Sequence, residues 1–152
     1  MPRPKIGDVV EIETDLGYFY ALYTHQHKMF GALLRVFGRP FATRPGNFES
    51  LVLEEPQFET FFPLGAAVRR KIVAVAGTAT IPKKLKPFPI FRDGVADRLT
   101  GKVSNWWLWD GENEWLVGKL NAEQEKYPMR EAINDTLLKE RVKSGWRSTD
   151  EV

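Results

Sequence analysis

The feature that most constrains this chain is a cluster of tryptophans. Four of the five tryptophans lie in the ten positions from Trp106 to Trp115, within the segment SNWWLWDGENEWLVGKL. Asp110 and Gly111, in the middle of that segment, form a dipeptide typical of tight turns. The segment therefore predicts a β-hairpin, and its functional meaning depends on whether the hairpin is a binding platform or the centre of a core.

Two registers are possible for this hairpin. A two-residue turn would place Trp109 opposite Glu112, an aromatic against a charge. A four-residue loop over residues 110–113 makes the cross-strand pairs apolar: Leu108 with Trp115, Trp107 with Leu116, and Trp106 with Val117. The second register is favoured, because apolar cross-strand pairs stabilise a sheet by about 0.2–1 kcal/mol each.

The favoured register makes both faces of the hairpin apolar. Trp106, Leu108 and Trp115 point to one side, whereas Trp107 and Trp109 point to the other. The second face is then covered by the C-terminal helix, covered by another protein, or left exposed. In one interpretation both faces are internal. In the other, Trp107 and Trp109 lie at a rim where a protein partner docks, because tryptophan is enriched among binding hot spots.

The N-terminal half predicts an antiparallel meander. GDVVEIE and GYFYALYTH flank a turn that Gly17 can complete, and MFGALLRVFG at 29–38 continues the sheet. Val10 and Ile12 alternate with glutamates, which predicts a first strand with one solvent-facing side.

The middle of the chain predicts further strands. FETFF at 58–62 and the segment 71–81 are two of them, and Gly77 permits a bulge in the second. A surface excursion over 38–57 contains one short strand near 51–53.

The C-terminal quarter predicts helix. Asn121 and Gln124 form a capping box for a short turn that Pro128 ends. A second helix begins near Asn134 and ends at Gly145. Its apolar residues Leu138 and Val142 should pack on the sheet, with Trp146 folding back over the last turn. The fold class we expect is mostly β (α+β): a strongly bent antiparallel sheet or partly open barrel with a C-terminal helix packed on it.

Length and composition set the class of protein. A chain of 152 residues with 43% hydrophobic and 28% charged residues is typical of one globular domain, so we expect a single domain over 1–152. The absence of cysteine excludes disulfides, thiolate zinc sites and cysteine nucleophiles. No apolar run reaches the ~18 residues of a membrane span, and the N-terminus lacks a signal sequence. We therefore expect a cytoplasmic protein without a membrane partner.

The sequence contains few residues in arrangements typical of catalysis or metal binding. His25 and His27 share one side of a strand but have no third ligand in a recognisable motif, and Glu11, Glu13 and Asp15 are typical of a solvated strand face. No phosphate-binding loop, dinucleotide fingerprint or nucleophile elbow is present. A small hydrolase would require the histidines or the acidic row to meet in a cleft. We expect no catalytic residue, cofactor or metal, and no enzyme.

The order of these segments resembles a known family. KIGDVVEIETDLGYFYAL, IPKKLKPFPIFRDG, NWWLWDGENEWLVGKL and INDTLLKERVKSGW together are similar to the immunity protein 26 family of bacterial polymorphic toxin systems. The resemblance implies a mostly β, non-catalytic protein that protects the producing cell by binding the effector domain of a cognate toxin. It implies no catalytic residue and sets no oligomeric state.

The charge adds one inference about that binding. A net charge of +2 does not support mimicry of a polyanion, so we expect an aromatic and arginine surface with Trp107, Trp109 and Arg92 as anchors. The alternative is a nucleic-acid-binding small β-barrel, which the small net charge disfavours. Its phosphate contacts would be the basic residues of two segments: Lys83, Lys84, Lys86, Arg69, Arg70 and Lys71.

Overall fold

The structure, a computed structural model, describes residues 3–150. Within these residues it confirms a mostly β fold, with eight strands in two antiparallel sheets that do not close into a barrel, and a C-terminal helix. The strands are β1 (Asp8–Thr14), β2 (Gly17–His27), β3 (Gly31–Phe41), β4 (Phe58–Phe62), β5 (Ala74–Thr78), β6 (Phe91–Asp93), β7 (Trp106–Trp109) and β8 (Glu114–Gly118). The α-helices are α1 (Leu64–Arg69) and α2 (Asp135–Ser144).

The chain divides into two compact units. The first unit contains the chain up to Pro87 together with Glu131–Trp146, and the second contains Phe88–Arg130 and the residues that follow Trp146. A single domain over 1–152 stays a prediction.

The first unit is built on a five-stranded sheet with the order β4-β3-β2-β1-β5. The predicted N-terminal hairpin is confirmed: Thr14 pairs with Gly17 across a two-residue turn. Gly17 has a φ of 120°, and a Cβ at this position would lie 2.7 Å from the carbonyl oxygen of Phe41. Only glycine satisfies both the turn and this close approach of β3.

Both faces of this sheet are covered by apolar residues. On one face, Val10 and Ile12 belong to a core that includes residues of α1 and α2. On the other, Val9 packs with Tyr20 and with residues 48–52 of the excursion. The predicted solvent-facing side of β1 is confirmed at Glu13, which is exposed, but is wrong at Val9, because the excursion folds back over that part of the strand. The predicted short strand is also wrong, since Leu51–Leu53 form a 3₁₀ turn within that cover.

The edges of the five-stranded sheet differ. The outer edge of β4 is covered, because Phe61 donates to the carbonyl oxygen of Glu131 at 3.2 Å and accepts from the amide of Ile133 at 3.1 Å. At the other edge β5 pairs only with β1, and its register shifts where Val9 pairs with Gly77. The bulge that Gly77 was predicted to permit lies at this shift.

The predicted C-terminal helix is confirmed as α2. The side chain of Asn134 accepts a hydrogen bond from the amide of Leu137 at 2.9 Å, and Gly145 ends the helix with a φ of 72°. Leu138 and Val142 are buried in the core of the first unit. The helix thus packs on the five-stranded sheet, as predicted.

The second unit contains the three-stranded sheet, in the order β6-β7-β8. The predicted capping box is confirmed by two reciprocal hydrogen bonds between Asn121 and Gln124, at 3.0 and 2.9 Å. They open a 3₁₀ turn over Gln124–Lys126, which ends before Pro128 as expected.

Candidate functional site

The tryptophan hairpin is formed by β7 and β8, and its predicted register is largely confirmed. Leu108 pairs with Trp115, and Trp107 pairs with Leu116. The third predicted pair is wrong, because the register shifts after Trp106 and places that residue opposite Gly118.

The loop of the hairpin is held by its first residue. The Asp110 carboxylate accepts hydrogen bonds from the amides of Glu112 at 3.0 Å and Asn113 at 2.8 Å. These bonds hold the pKa of Asp110 below its usual range. Gly111, with a φ of 101°, leaves no room for a side chain, since a Cβ would lie 2.8 Å from the Phe88 ring. The loop therefore fixes the geometry of the strands that present the tryptophans.

One face of the small sheet is a core. Trp106 and Leu108 are buried there with Leu120. Arg92 lies on the same face, with its guanidinium 4.7 Å from the centroid of the Trp106 ring. Its Nε donates to the carbonyl oxygen of Tyr127 at 3.0 Å, and a terminal nitrogen donates to that of Ser148. Arg92 has no exposed surface, so it stabilises this core.

The opposite face is only partly covered. Trp109 is 6% exposed and packs against Phe91 and Phe88, at ring-centroid distances of 5.5 and 5.7 Å. Further along the same face, Trp107 is 40% exposed and its neighbour on β8, Leu116, is 54% exposed. An aromatic and an aliphatic side chain thus lie side by side in solvent on adjacent strands.

An arginine from outside the hairpin completes this face. The guanidinium of Arg130 lies 5.3 Å from the Trp109 ring centroid and bridges two carboxylates, Asp93 at 2.6 Å and Glu114 at 2.9 Å. Burial lowers the pKa of Arg130, but its hydrogen bonds to the two carboxylates outweigh that effect and raise the pKa overall. Arg130 is therefore held charged and in one position over the buried Trp109 ring.

A depression of about 370 Å³ lies at this point of the surface. Its lining includes Asp93, Gly94, Ser104, Asn105, Trp107 and Arg130. Aromatic and arginine side chains at the centre of a patch, with polar groups around them, are the composition of a protein-binding hot spot. We name Trp107, Leu116, Arg130, Asp93 and Glu114 the tryptophan surface.

The three residues predicted as anchors have different environments. Trp107 is exposed and belongs to the tryptophan surface, whereas Trp109 is buried beneath Arg130. Arg92 faces the core, because strand alternation places it on the side of Trp106. Sequence reasoning missed Arg130, which follows the Tyr127-Pro128 stretch and carries no local signal. Leu116 could have been found, since the favoured register already paired it with Trp107.

The histidines do not form a ligand set. The Nε2 atom of His25 lies 2.7 Å from the carbonyl oxygen of Lys86, and burial lowers the pKa of this histidine. The Nδ1 atom of His27 accepts from the amide of Met29 at 3.1 Å. Among residues 3–150, no three histidine, aspartate or glutamate side chains are placed to hold a metal ion.

The acidic row of β1 is used in local contacts. Glu11 accepts hydrogen bonds from the Tyr20 hydroxyl and from Arg44 Nε, both at 2.8 Å. Asp15 forms an ion pair with Lys143 at 2.8 Å. The basic residues of the alternative prediction are exposed, and one of them, Lys84, lies 3.3 Å from a carboxylate oxygen of Glu55.

Comparison with protein-family models, with curated proteins and with solved structures finds no match to this chain. Across residues 3–150, every helix is too short or too polar to cross a membrane.

Proposed function

We propose that this chain is an immunity protein, which binds the effector domain of a cognate toxin and neutralises it by protein–protein contact without catalysis. The observation that carries the proposal is the tryptophan surface, where Trp107 and Leu116 lie exposed on adjacent strands and Trp107 lines the same depression as Arg130. The resemblance of the chain's segments to the immunity protein 26 family supports the same function.

The exposed apolar area is large enough to contribute to binding. Trp107 exposes 40% of its surface and Leu116 exposes 54%. At about 25 cal/mol per Å², covering both side chains would contribute on the order of 4 kcal/mol. Orienting and desolvation costs oppose this gain, so the anchors need precise polar neighbours to give tight binding.

The polar rim supplies those neighbours. Asp93 and Glu114 both bind Arg130 and remain partly exposed, with side-chain exposures of 40% and 50%. Their outer oxygens can accept hydrogen bonds from a partner while Arg130 keeps them in place. The rim carries two carboxylates for one guanidinium, so it favours a partner with basic or amide groups around an apolar pocket for Trp107.

The test uses the effector domain encoded beside this gene. Co-expression should rescue growth, and calorimetric titration of the purified proteins should show one-to-one binding. Trp107→Ala should weaken that binding by roughly 30-fold or more, because it removes the central anchor.

Trp115→Ala is the matched control. Trp115 lies on the same hairpin, is 38% exposed and points to the opposite face, so its removal should change the affinity by less than about threefold. Equal losses of affinity in both variants would mean that the substitutions act by disturbing the fold of the hairpin. An unchanged affinity for Trp107→Ala would exclude the tryptophan surface as the binding site. If the unaltered chain gave no rescue and no binding, the immunity function would be refuted.

A further inference from the structure

Within its described residues, the first unit has a sheet edge at which the last strand pairs on one side only. β5 is the last strand of its sheet and pairs only with β1. Over the part of the chain that the structure describes, the backbone of residues 74–78 forms no hydrogen bond outside that pairing. The amide and carbonyl groups on the outer side of β5 are therefore available to another strand.

A groove of about 650 Å³ runs along this edge. Its apolar lining includes Val68, Val73 and Val75, of which Val75 is 37% exposed. Its charged lining consists of three cations and one acid: Arg3, Lys5, Lys71 and Asp8. The groove combines a free strand edge, an apolar floor and basic walls.

Among the described residues, the cations of the groove have no carboxylate partner. Within residues 3–150, Arg3, Lys5 and Lys71 form no ion pair, in contrast to Arg130 and Arg141, which do. The only acid of the lining, Asp8, is buried, and its carboxylate accepts a hydrogen bond from the amide of Lys5 at 2.8 Å. The groove thus presents a local excess of positive charge, although the whole chain has a net charge of only +2.

The position of Lys71 adds a second observation. Lys71 has a φ of 60° and is the single non-glycine residue at positive φ within the described residues. It ends α1, where its amide donates to the carbonyl oxygen of Val68 at 3.0 Å. Glycine or asparagine normally occupies such a position, because the Cβ of an L-residue crowds the neighbouring carbonyl group in the left-handed conformation. Residues held in this way are concentrated at ligand-binding sites.

We propose that the β5 edge binds an extended acidic segment of a partner protein as an additional strand. Main-chain hydrogen bonds to β5 would hold the segment, as in other cases of strand addition. Because side chains alternate along a strand, apolar residues of the segment would contact the valine floor while intervening carboxylates pair with Lys5 and Lys71. This surface belongs to the first unit, so the inference is independent of the tryptophan surface and of the proposed function.

Two other occupants fit the groove less well. A second copy of this chain would offer its own β5, which contains no acidic residue, and would bring two sets of the same cations together. A nucleic acid would satisfy the cations but leave the amide and carbonyl edge and the valine floor without partners. An acidic peptide satisfies all three features.

The probe is a short synthetic peptide with the repeat Val-Glu and blocked ends, titrated calorimetrically into the full chain. It should bind one-to-one, whereas a Val-Lys peptide should not bind. A Val-Glu peptide with N-methyl groups on alternate residues, which cannot pair as a strand, should bind at least about tenfold more weakly. Equal binding by the N-methylated peptide, or no binding by the unmodified one, would overturn the proposal.

A protein variant tests the basic wall without disturbing the backbone. Lys71→Gly keeps the left-handed turn, which glycine adopts freely, but removes the cation, so affinity for the Val-Glu peptide should fall roughly threefold or more. Lys143→Gln, which lies in α2 and outside the lining of the groove, is the matched control and should leave affinity unchanged. Tighter binding of a uridine oligonucleotide than of the peptide, or a dimer that protects the amides of residues 74–78 from exchange, would contradict the assignment.

Discussion

The two sheets of this molecule differ in how completely their second faces are covered. In the five-stranded sheet, residues 48–52 fold over the face that α1 and α2 leave open, so Val9 and Val10, on opposite sides of β1, are both buried. In the three-stranded sheet, Arg130 covers Trp109 but leaves Trp107 and Leu116 in solvent. Of the two sheets, the smaller one therefore leaves an apolar patch of Trp107 and Leu116 in solvent. Buried residues of the covered faces are expected to govern stability, whereas the residues of this exposed patch are expected to govern binding.

The largest expected effect contrasts one leucine from each sheet. Leu34 on β3 is fully buried, so Leu34→Ala should lower the free energy of unfolding by about 2–5 kcal/mol through lost contacts and a cavity. Leu116 is mostly exposed, so Leu116→Ala should change that free energy by less than about 0.5 kcal/mol. Denaturant titration followed by circular dichroism measures both, and similar losses would remove the contrast between the sheets.

A smaller effect contrasts the two arginines of the three-stranded sheet. Arg92→Met should cost about 2–4 kcal/mol of unfolding free energy, because it leaves the buried carbonyl groups of Tyr127 and Ser148 without their donor. Arg130→Met removes ion pairs to two partly exposed carboxylates and should cost about 1 kcal/mol or less. Calorimetric melting of both variants measures the two losses of unfolding free energy. A greater loss for Arg130→Met than for Arg92→Met would contradict the assignment of Arg92 to the core and of Arg130 to the surface.

The smallest effect concerns the excursion over residues 38–57, part of which covers the larger sheet. The hydrogen bond from Arg44 in that segment, together with one from Tyr20, holds the pKa of Glu11 below its ordinary value of 4.5, although burial opposes the shift. Because the folded-state pKa is the lower one, this carboxylate stabilises the fold above about pH 4.5, and the contribution is lost as the pH falls through the folded-state pKa. Because Arg44 is half exposed and solvent screens its pairing with Glu11, Glu11→Gln should cost about 1 kcal/mol or less at pH 7.

The pH series supplies the control for that variant. The difference in unfolding free energy between the unaltered chain and Glu11→Gln should shrink as the pH is lowered from 7 towards 3, because the native carboxylate then becomes protonated too. Asp15→Asn, at the adjacent exposed turn, should show a much smaller change. A difference that stays constant over this range would mean that Glu11 acts through packing alone.

The elements that could be predicted from sequence depend on local chemistry. Gly17 marks the first hairpin because only glycine fits its turn, and Asn134 and Gly145 mark the ends of α2 because capping needs those residue types. The pairing of Trp107 with Leu116 followed from matching apolar residues across one loop. Each of these signals lies within a few residues of the structure that it specifies.

The elements that could not be predicted depend on contacts distant in sequence. The alternation in β1 predicted a solvent-facing side, but burial of Val9 depends on a cover that begins almost forty residues later, at Phe48. The same limit applies to the candidate site. Arg92 lies in a strand and Arg130 in an irregular segment, and only the three-dimensional arrangement shows that the second, not the first, lines the same depression as Trp107.

The distribution of tryptophans allows intrinsic fluorescence to report on the two units separately. Trp146 is the single indole of the first unit and lies 3.7 Å from the Arg141 guanidinium, whereas the other four belong to the second unit. A Trp146→Phe chain would therefore emit from the second unit alone, and the difference from the unaltered chain would isolate the emission of the first. Within the remaining four, Trp107 and Trp115 are exposed to similar extents, so in a chain that also carries Trp115→Phe, loss of quenching would mark the arrival of a bound protein at the Trp107 face.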